Sequence, residues 1–212
     1  AVGRADSSIE NHPTSQHEFE FEFLGLLAFY DPPKQNIQEV LQTFYKAGIN
    51  VKMITGDYAQ TAIAIAGQVG LKSGNEVLTG DEVMAMDSKD LKLKVRDTQV
   101  FARMFPEAKL RIVEALKQNG EVVAMTGDGV NDGPALKAAH IGIAMGKRGS
   151  EVAKNAAALV LMDDDLGHMT EAVALGRRIY ENLKKAIQYI ISIHIPIILI
   201  VLLPLVYRNF CT

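Results

Sequence analysis

The segment Thr126-Gly127-Asp128-Gly129-Val130-Asn131-Asp132-Gly133-Pro134 packs two carboxylates, a side-chain amide and three glycines into one loop directly after an apolar run. Carboxylate oxygens are hard ligands of the kind Mg²⁺ prefers, and glycines leave backbone N–H groups open to an anion. Asp128 and Asp132 therefore have the chemistry of a magnesium-phosphate site. Capping of a helix near Asp132 accounts for one acidic residue, not for the whole set. A second Thr-Gly-Asp stands at Thr55-Gly56-Asp57, also after an apolar stretch. Its hydroxyl, its unhindered amide and the N-terminus of the next helix suit a phosphoryl group. Taken alone, this tripeptide reads first as an ordinary strand-to-helix turn with a capping side chain. Lys109, one turn into a helix that opens at Pro106, carries a mobile positive charge that could reach a phosphate; without context it reads as a solvated surface lysine.

These residues need a scaffold, and the hydrophobic pattern supplies one. Residues 1–17 are polar and aperiodic, EFEFEF over 18–23 alternates as a half-wet strand does, and LGLLAFY continues as an apolar strand candidate. Beyond a turn at Asp31-Pro32-Pro33, Ile37, Val40, Leu41 and Phe44 recur at helical spacing up to Gly48. The alternation continues with strand 51–54, helix 58–69, a short strand near Val77, helical stretches near Glu82 and Leu91, strand 100–102 and helix 106–117. Strand 122–125, helix 132–139 and strands 141–144 and 159–162 complete it. Short apolar strands separated by amphipathic helices predict βαβ units, hence an α/β chain with a parallel sheet covered on both faces. In such sheets the working residues collect at the carboxyl ends of the strands, where both Thr-Gly-Asp tripeptides fall.

Composition narrows the function classes. The 212 residues are 48% hydrophobic, enough for a buried core, and the net charge of −3 gives nucleic acid no electrostatic footprint to bind. One cysteine, Cys211, excludes an internal disulfide framework or thiolate cluster. From 186 to 207 no Asp, Glu, Lys or Arg interrupts the apolar run, which is long enough for a membrane-spanning helix. Arg177, Arg178, Lys184 and Lys185 precede it and only Arg208 follows, so the positive-inside bias predicts that everything before about 186 lies in the cytoplasm. Within the span Gln188, Tyr189, Ser192 and His194 are polar; Ser192 and His194 are candidates for an ion path, with Pro196 freeing the carbonyl of Ser192. The plainer reading is a histidine hydrogen-bonded within a helix bundle and a proline that only kinks.

MITGD, FARMFPEAK and above all TGDGVNDGPALKAAHIGIAMG resemble the signature segments of P-type cation-transporting ATPases, in the calcium-pump-like branch, over about 23–207. The resemblance implies an incomplete haloacid-dehalogenase-like, Rossmann-like parallel sheet followed by a long helix entering the membrane. It implies residues 1–22 as the end of a nucleotide-binding domain or linker and 23–165 as the later part of the phosphorylation domain. Residues 166–185 then form a stalk helix, 186–207 the family's fifth transmembrane helix, and 208–212 a tail. Implied, too, are Mg²⁺ as cofactor, ATP as substrate, and an aspartyl-phosphate intermediate. By matching positions, Thr55 and Gly56 would hold phosphoryl oxygens, Lys109 would offset their charge, and Asp128 would ligate Mg²⁺. Asn131 and Asp132 would order the phosphate and metal shell, while Asp57 and Arg103 would meet the nucleotide.

Two departures matter. The family's nucleophile lies in an Asp-Lys-Thr-Gly-Thr segment that this sequence does not contain, so the chain by itself is expected to have no ATPase activity and to need the remainder of the pump as partner. Where calcium-pumping relatives carry an Asn and an acidic residue in this membrane helix, His194 and Ile197 stand here. A different-class alternative is a membrane-tethered module that binds Mg²⁺ or nucleotide without turnover. A soluble phosphatase of the haloacid-dehalogenase type would need Asp31 as nucleophile, where the following prolines remove the amides that should face phosphate.

Overall fold

The structure is a computed structural model that describes residues 2–5, 21–27, 32–72 and 76–210, with the side chains of 205, 206 and 208–210 excepted. Asp31, Cys211 and the first half of the alternating 18–23 segment lie outside the described residues. The described residues fall into two units, 1–34 and 35–212.

In the first unit, β1 (Val2–Arg4) pairs antiparallel with β2 (Glu22–Gly25), with Arg4 opposite Glu22. Their side chains approach at 3.8 Å in full view of solvent. The strand at Val2–Arg4 corrects the aperiodic reading of 1–17: three residues are too few for a period, and the pairing comes from a partner some twenty residues on. Leu26 and Leu27 do not continue β2, since both are exposed and extend no ladder; the rest of the apolar run, 28–30, lies outside the described residues.

The second unit is α/β. Its elements are α1 (Ile37–Lys46), β3 (Met53–Ile54), α2 (Ala59–Val69), β4 (Val77–Thr79), α3 (Gly80–Ala85), α4 (Ser88–Asp97), β5 (Val100–Ala102) and α5 (Pro106–Gln118). They continue with β6 (Ala124–Gly127), a 3₁₀ turn at Val130–Asp132, α6 (Gly133–Ala138), β7 (Ile141–Met145), α7 (Glu151–Ala156), β8 (Leu159–Leu161) and α8 (Gly167–Phe210). The strands make two parallel three-stranded sheets, β3-β5-β4 and β6-β7-β8.

Strand β5 shows why helices cover both faces of the first sheet. Successive side chains of a strand point to opposite sides, and Val100 and Ala102 join Leu41, Ala62, Ala66 and Val69 from α1 and α2. Phe101, between them, joins Val83, Leu91, Val95, Ala108 and Ile112 from α3, α4 and α5. All three β5 residues are buried, as a central parallel strand requires. Helix α5 serves both sheets: Ala108, Ile112 and Leu116 face the first core, while Val113 packs with Met125, Leu136, Ala144 and Ala153 in the second. Ile54 of β3 borders both cores.

Local chemistry sets the ends. Thr79 begins α3 with a capping box: its side chain accepts from the Glu82 N–H, while the Glu82 carboxylate takes the Thr79 backbone N–H at 2.7 Å. Asp87 caps α4 through the N–H groups of Lys89 and Asp90. Helix α7, absent from the sequence reading, is announced by Ser150, whose hydroxyl accepts from the Ala153 N–H. Strand β6 begins at Ala124 rather than Val122, which is 81% exposed and meets no core.

Helix α8 is a single unbroken element of 44 residues, with Pro196 and Pro204 inside it. By length and composition it is the one helix among the described residues able to cross a membrane, and none of its apolar window is buried. The Arg177 guanidinium donates to the Ala47 carbonyl at 2.7 Å, fastening α8 to the end of α1.

Candidate functional site

Both Thr-Gly-Asp tripeptides stand at carboxyl ends of parallel strands, and α5 links them. On one side Thr55 follows β3 and is tied to β5 and the approach to α5 by backbone bonds: the Thr55 N–H donates to the Phe101 carbonyl at 2.9 Å, and the Met104 N–H donates to the Thr55 carbonyl at 2.9 Å. The Arg103 N–H reaches the Asp57 carbonyl at 2.8 Å. These bonds hold the loop against residues 103–104, just ahead of the α5 N-terminus, where unpaired helix N–H groups favour an anion.

Within the loop the Thr55 hydroxyl donates to Asp57 at 3.0 Å and accepts from the Asp57 N–H at 3.1 Å. Gly56 and Asp57 are exposed. Arg103 adopts φ 50, a left-handed conformation rare for arginine, and its guanidinium lies 5.2 Å from the Tyr58 ring centroid. The strained backbone thus turns an exposed arginine across the mouth of the first loop.

On the other side, the Lys109 ammonium donates to Asp132 at 2.7 Å, with the two side chains only 13% and 9% exposed. The second Asp132 oxygen accepts the Gly129 N–H at 3.0 Å, and the Asp132 N–H donates back to the Gly129 carbonyl. Gly127 is required by space: a β-carbon there would stand 2.5 Å from that of Asp132. Asp128 is exposed at the end of β6, and its carbonyl accepts the Ser150 N–H at 2.8 Å, which joins the loop to the start of α7. Asn131 is exposed in the 3₁₀ turn beside it.

The arrangement brings Lys109 and Asp132 into contact, and Thr55, Gly56 and Asp57 into one stitched loop with Arg103. Among the described residues no hydrogen bond or ion pair joins the Thr55 loop to the Asp128 loop; the first is bonded to residues 101–104, just ahead of α5, and the second meets α5 through Lys109. Among the described residues no group of three or more His, Cys, Asp or Glu side chains forms a metal cage. Mg²⁺ keeps much of its water and is bound through one or two carboxylates together with phosphate oxygens. Asp128, exposed and unencumbered by the ion pair that occupies Asp132, has the right donor for it.

Ser192 and His194 sit on α8, away from this rim in sequence and on a different element. The Ser192 hydroxyl donates to the Gln188 carbonyl at 2.8 Å, and His194 Nδ1 donates to the Ile190 carbonyl at 2.8 Å. Each of these bonds is made within the helix itself. What sequence reasoning missed is Asp164: nearly buried, at φ 62, it accepts the N–H groups of Lys147 and Arg148 at 3.0 Å each and so fixes the loop after β7. The run Asp163-Asp164-Asp165 was the available signal, but nothing in it singles out the middle residue.

The family model described as haloacid dehalogenase-like hydrolase matches residues 4–140. Calcium-transporting ATPase type 2C member 1 of Homo sapiens is 45% identical over 171 residues, covering 80% of this chain and 19% of that protein. A calcium-transporting ATPase of Bacillus subtilis is 43% identical over 195 residues, 91% of this chain and 22% of that protein. The chain thus spans about a fifth of the length of the curated relatives it matches. Among solved structures, the catalytic domain of the CPx-ATPase CopB-B matches with a TM-score of 0.51 and 26% identity, over 73% of this chain and 48% of that one. With its parallel sheets, the paired Lys109 and Asp132 at their rim and a family match over most of its length, the chain belongs to the haloacid dehalogenase-like hydrolases, and the relatives it resembles within them are cation-transporting ATPases.

Proposed function

We propose that this chain is part of an ATP-driven cation pump of the P-type: the later portion of its phosphorylation domain, continuing through a stalk into a membrane-spanning helix. The observation that carries the reading is the nearly buried Lys109–Asp132 pair at the carboxyl ends of parallel strands, next to the exposed carboxylate of Asp128. In this reading residues 1–22 end a nucleotide-binding domain or linker, 23–165 belong to the phosphorylation domain, 166–185 form the stalk, 186–207 span the bilayer and 208–212 form a tail. Residues before about 186 face the cytoplasm.

The reaction transfers the γ-phosphoryl group of ATP to an aspartate carboxylate, with the bond to ADP breaking as the acyl-phosphate bond forms; water later cleaves the acyl phosphate. The accepting aspartate is not in this sequence. Strands β3 and β6 are each at the end of their sheet, with one side that pairs with no other strand among the described residues. Both border the α5 core through Ile54 and Met125. A single strand laid between them would join the two sheets and deliver its C-terminal residue between Thr55 and Asp128.

There the Thr55 hydroxyl, turning from Asp57, and the Gly56 N–H would donate to phosphoryl oxygens, and Lys109 would offset their charge. Asp132 keeps Lys109 oriented, Asn131 adds a donor, and Asp57 with Arg103 meets the nucleotide. Mg²⁺ held by Asp128 would supply charge neutralisation for the transferring group. Ser192 and His194 remain the proposed ion path through the span; the transported cation, the bilayer and the rest of the pump are the partners of this reading.

The test uses labelled ATP. The chain alone should give no acid-stable phosphorylated adduct, whereas the same chain joined to an upstream segment bearing Asp-Lys-Thr-Gly-Thr should give one that Asp128→Asn abolishes. An adduct on the chain alone, or none on the joined protein, would overturn the proposal.

A further inference from the structure

The segment that carries the chain from β8 into α8 is held by a linked set of carboxylates, and one histidine stands between two of them. Asp163 Oδ1 accepts the Asp165 N–H at 3.2 Å. Asp165 accepts the Gly167 N–H at 2.8 Å and the side-chain amide of Asn36, just ahead of α1, at 3.2 Å. His168, in the first turn of α8, places Nε2 at 2.8 Å from Asp163 Oδ2 and Nδ1 at 3.4 Å from Glu171 Oε2. A neutral imidazole has a single N–H and can donate to one carboxylate only; both contacts are hydrogen bonds only for the imidazolium.

We propose that His168 is a proton-operated clasp at the root of α8: its charged ring joins Asp163, ahead of the helix, to Glu171, one turn inside it, and loss of the proton releases one of the two. The charged groups around the ring are Asp163 and Asp165 from the turn and Glu171 from α8 itself. Asp164 is directed to the amides of Lys147 and Arg148, and Asn36 contributes a neutral amide to Asp165. The environment supports this assignment: the hydrogen bond to Asp163, followed by that to Glu171, raises the histidine above its ordinary 6.5. Asp163 is held below its ordinary value chiefly by the Asp165 N–H, and Asp165 chiefly by the Gly167 N–H.

The signs bound the window. A raised histidine stabilises fully below its unfolded value, and this is lost as pH rises through the folded value. The depressed carboxylates stabilise above their unfolded value, and this is lost as pH falls through their folded values. The clasp is therefore closed in mildly acid solution and opens as pH rises past the His168 midpoint. An imidazolium at a helix N-terminus opposes the helix dipole, so it persists there only because carboxylates flank it on both sides. The inference stands on the geometry of this junction and is independent of the pump reading.

The test is NMR on the full chain in detergent micelles, with labelled histidine and with His168→Gln to assign its resonance among the five histidines. His168 should titrate above 6.5, and Asp163→Asn should bring it down towards that value. Hydrogen-exchange protection of the Asp165 and Gly167 amides should fall roughly two- to five-fold across the midpoint in the native chain and stay level in His168→Gln. A midpoint at or below 6.5, or protection in the native chain that follows His168→Gln at every pH, would sink the proposal.

Discussion

The Lys109–Asp132 pair offers the sharpest test of how the rim of the sheet is held. Both side chains are nearly out of solvent, and Asp132 has one further partner, the Gly129 N–H. Lys109→Met keeps the stem but removes the ammonium, leaving a desolvated carboxylate with a single amide. Breaking a buried pair costs about 3–5 kcal/mol, and the surviving amide and the residual exposure reduce this to about 2.5 kcal/mol. Asp132→Asn keeps the shape and lets the long lysine stem carry its charge towards water, so it should cost about 1 kcal/mol. The double variant buries no lone charge and should cost about 1.5 kcal/mol, against about 3.5 kcal/mol if the two single effects simply added. The coupling is then about 2 kcal/mol, within the range for groups in direct contact. Urea titrations of the four proteins in detergent micelles, followed by circular dichroism, measure it. Thermal melts should place Lys109→Met about 5–10 °C below the native chain. If the single effects add to within about 0.5 kcal/mol, the two charges act independently and the reasoning fails.

Gly127→Ala should disturb the same pair without removing a charge, because the new β-carbon would need the space of the Asp132 side chain, 2.5 Å away. A loss of about 2 kcal/mol is expected by the overpacking route, and it should shrink when combined with Asp132→Gly, which removes the β-carbon that the new one meets; a neutral Gly127→Ala would show that the loop has slack. Asp164→Asn replaces one of two acceptors by a donor facing a backbone N–H, and should cost about 1–3 kcal/mol in the same urea titration. A change under about 0.5 kcal/mol would mean that the loop after β7 does not depend on it. Glu82 is held below its ordinary 4.5 by the Thr79 backbone N–H first and the Thr79 hydroxyl second. As a depressed carboxylate it stabilises above 4.5, and the contribution is lost as pH falls through its lower folded value. Melting temperatures of the native chain and Glu82→Gln should differ above pH 4.5 and converge in more acid solution; a gap that persists or widens there would contradict the sign.

Much of this could be read along the chain because the fold is built from local repeats. Val100–Ala102 is a strand in both readings, since three apolar residues followed by a Pro-opened amphipathic helix leave little choice. The glycine-rich loop showed Asp128 and Asp132 by their density of small and acidic residues. It did not show that Lys109 and Asp132 touch, because they are 23 positions apart with strand β6 between their elements, and only the docking of α5 on both sheets brings them together. Arg103 was named only through the family resemblance, and its left-handed backbone was not foreseen, because that conformation usually signals itself through glycine. The order β3-β5-β4 was equally hidden, since apolar runs state that a strand is buried and not which strand lies beside it. Helix α7 escaped because six residues give too short a stretch for helical spacing to declare itself.

Helix α8 has no break between its root at Gly167 and the first proline at 196. At 1.5 Å per residue that stretch is a rod of about 42 Å, and a tilt of roughly 5° at its base swings its far end by about 4 Å. A ratio of that kind converts a sub-ångström adjustment around the base into a displacement comparable to the width of a side chain. Pro196 withholds one rung of the helical ladder and sets where the rigid arm ends and a compliant tip begins. Mechanical advantage, and not only span, is therefore written into the length of this helix and the position of its first proline.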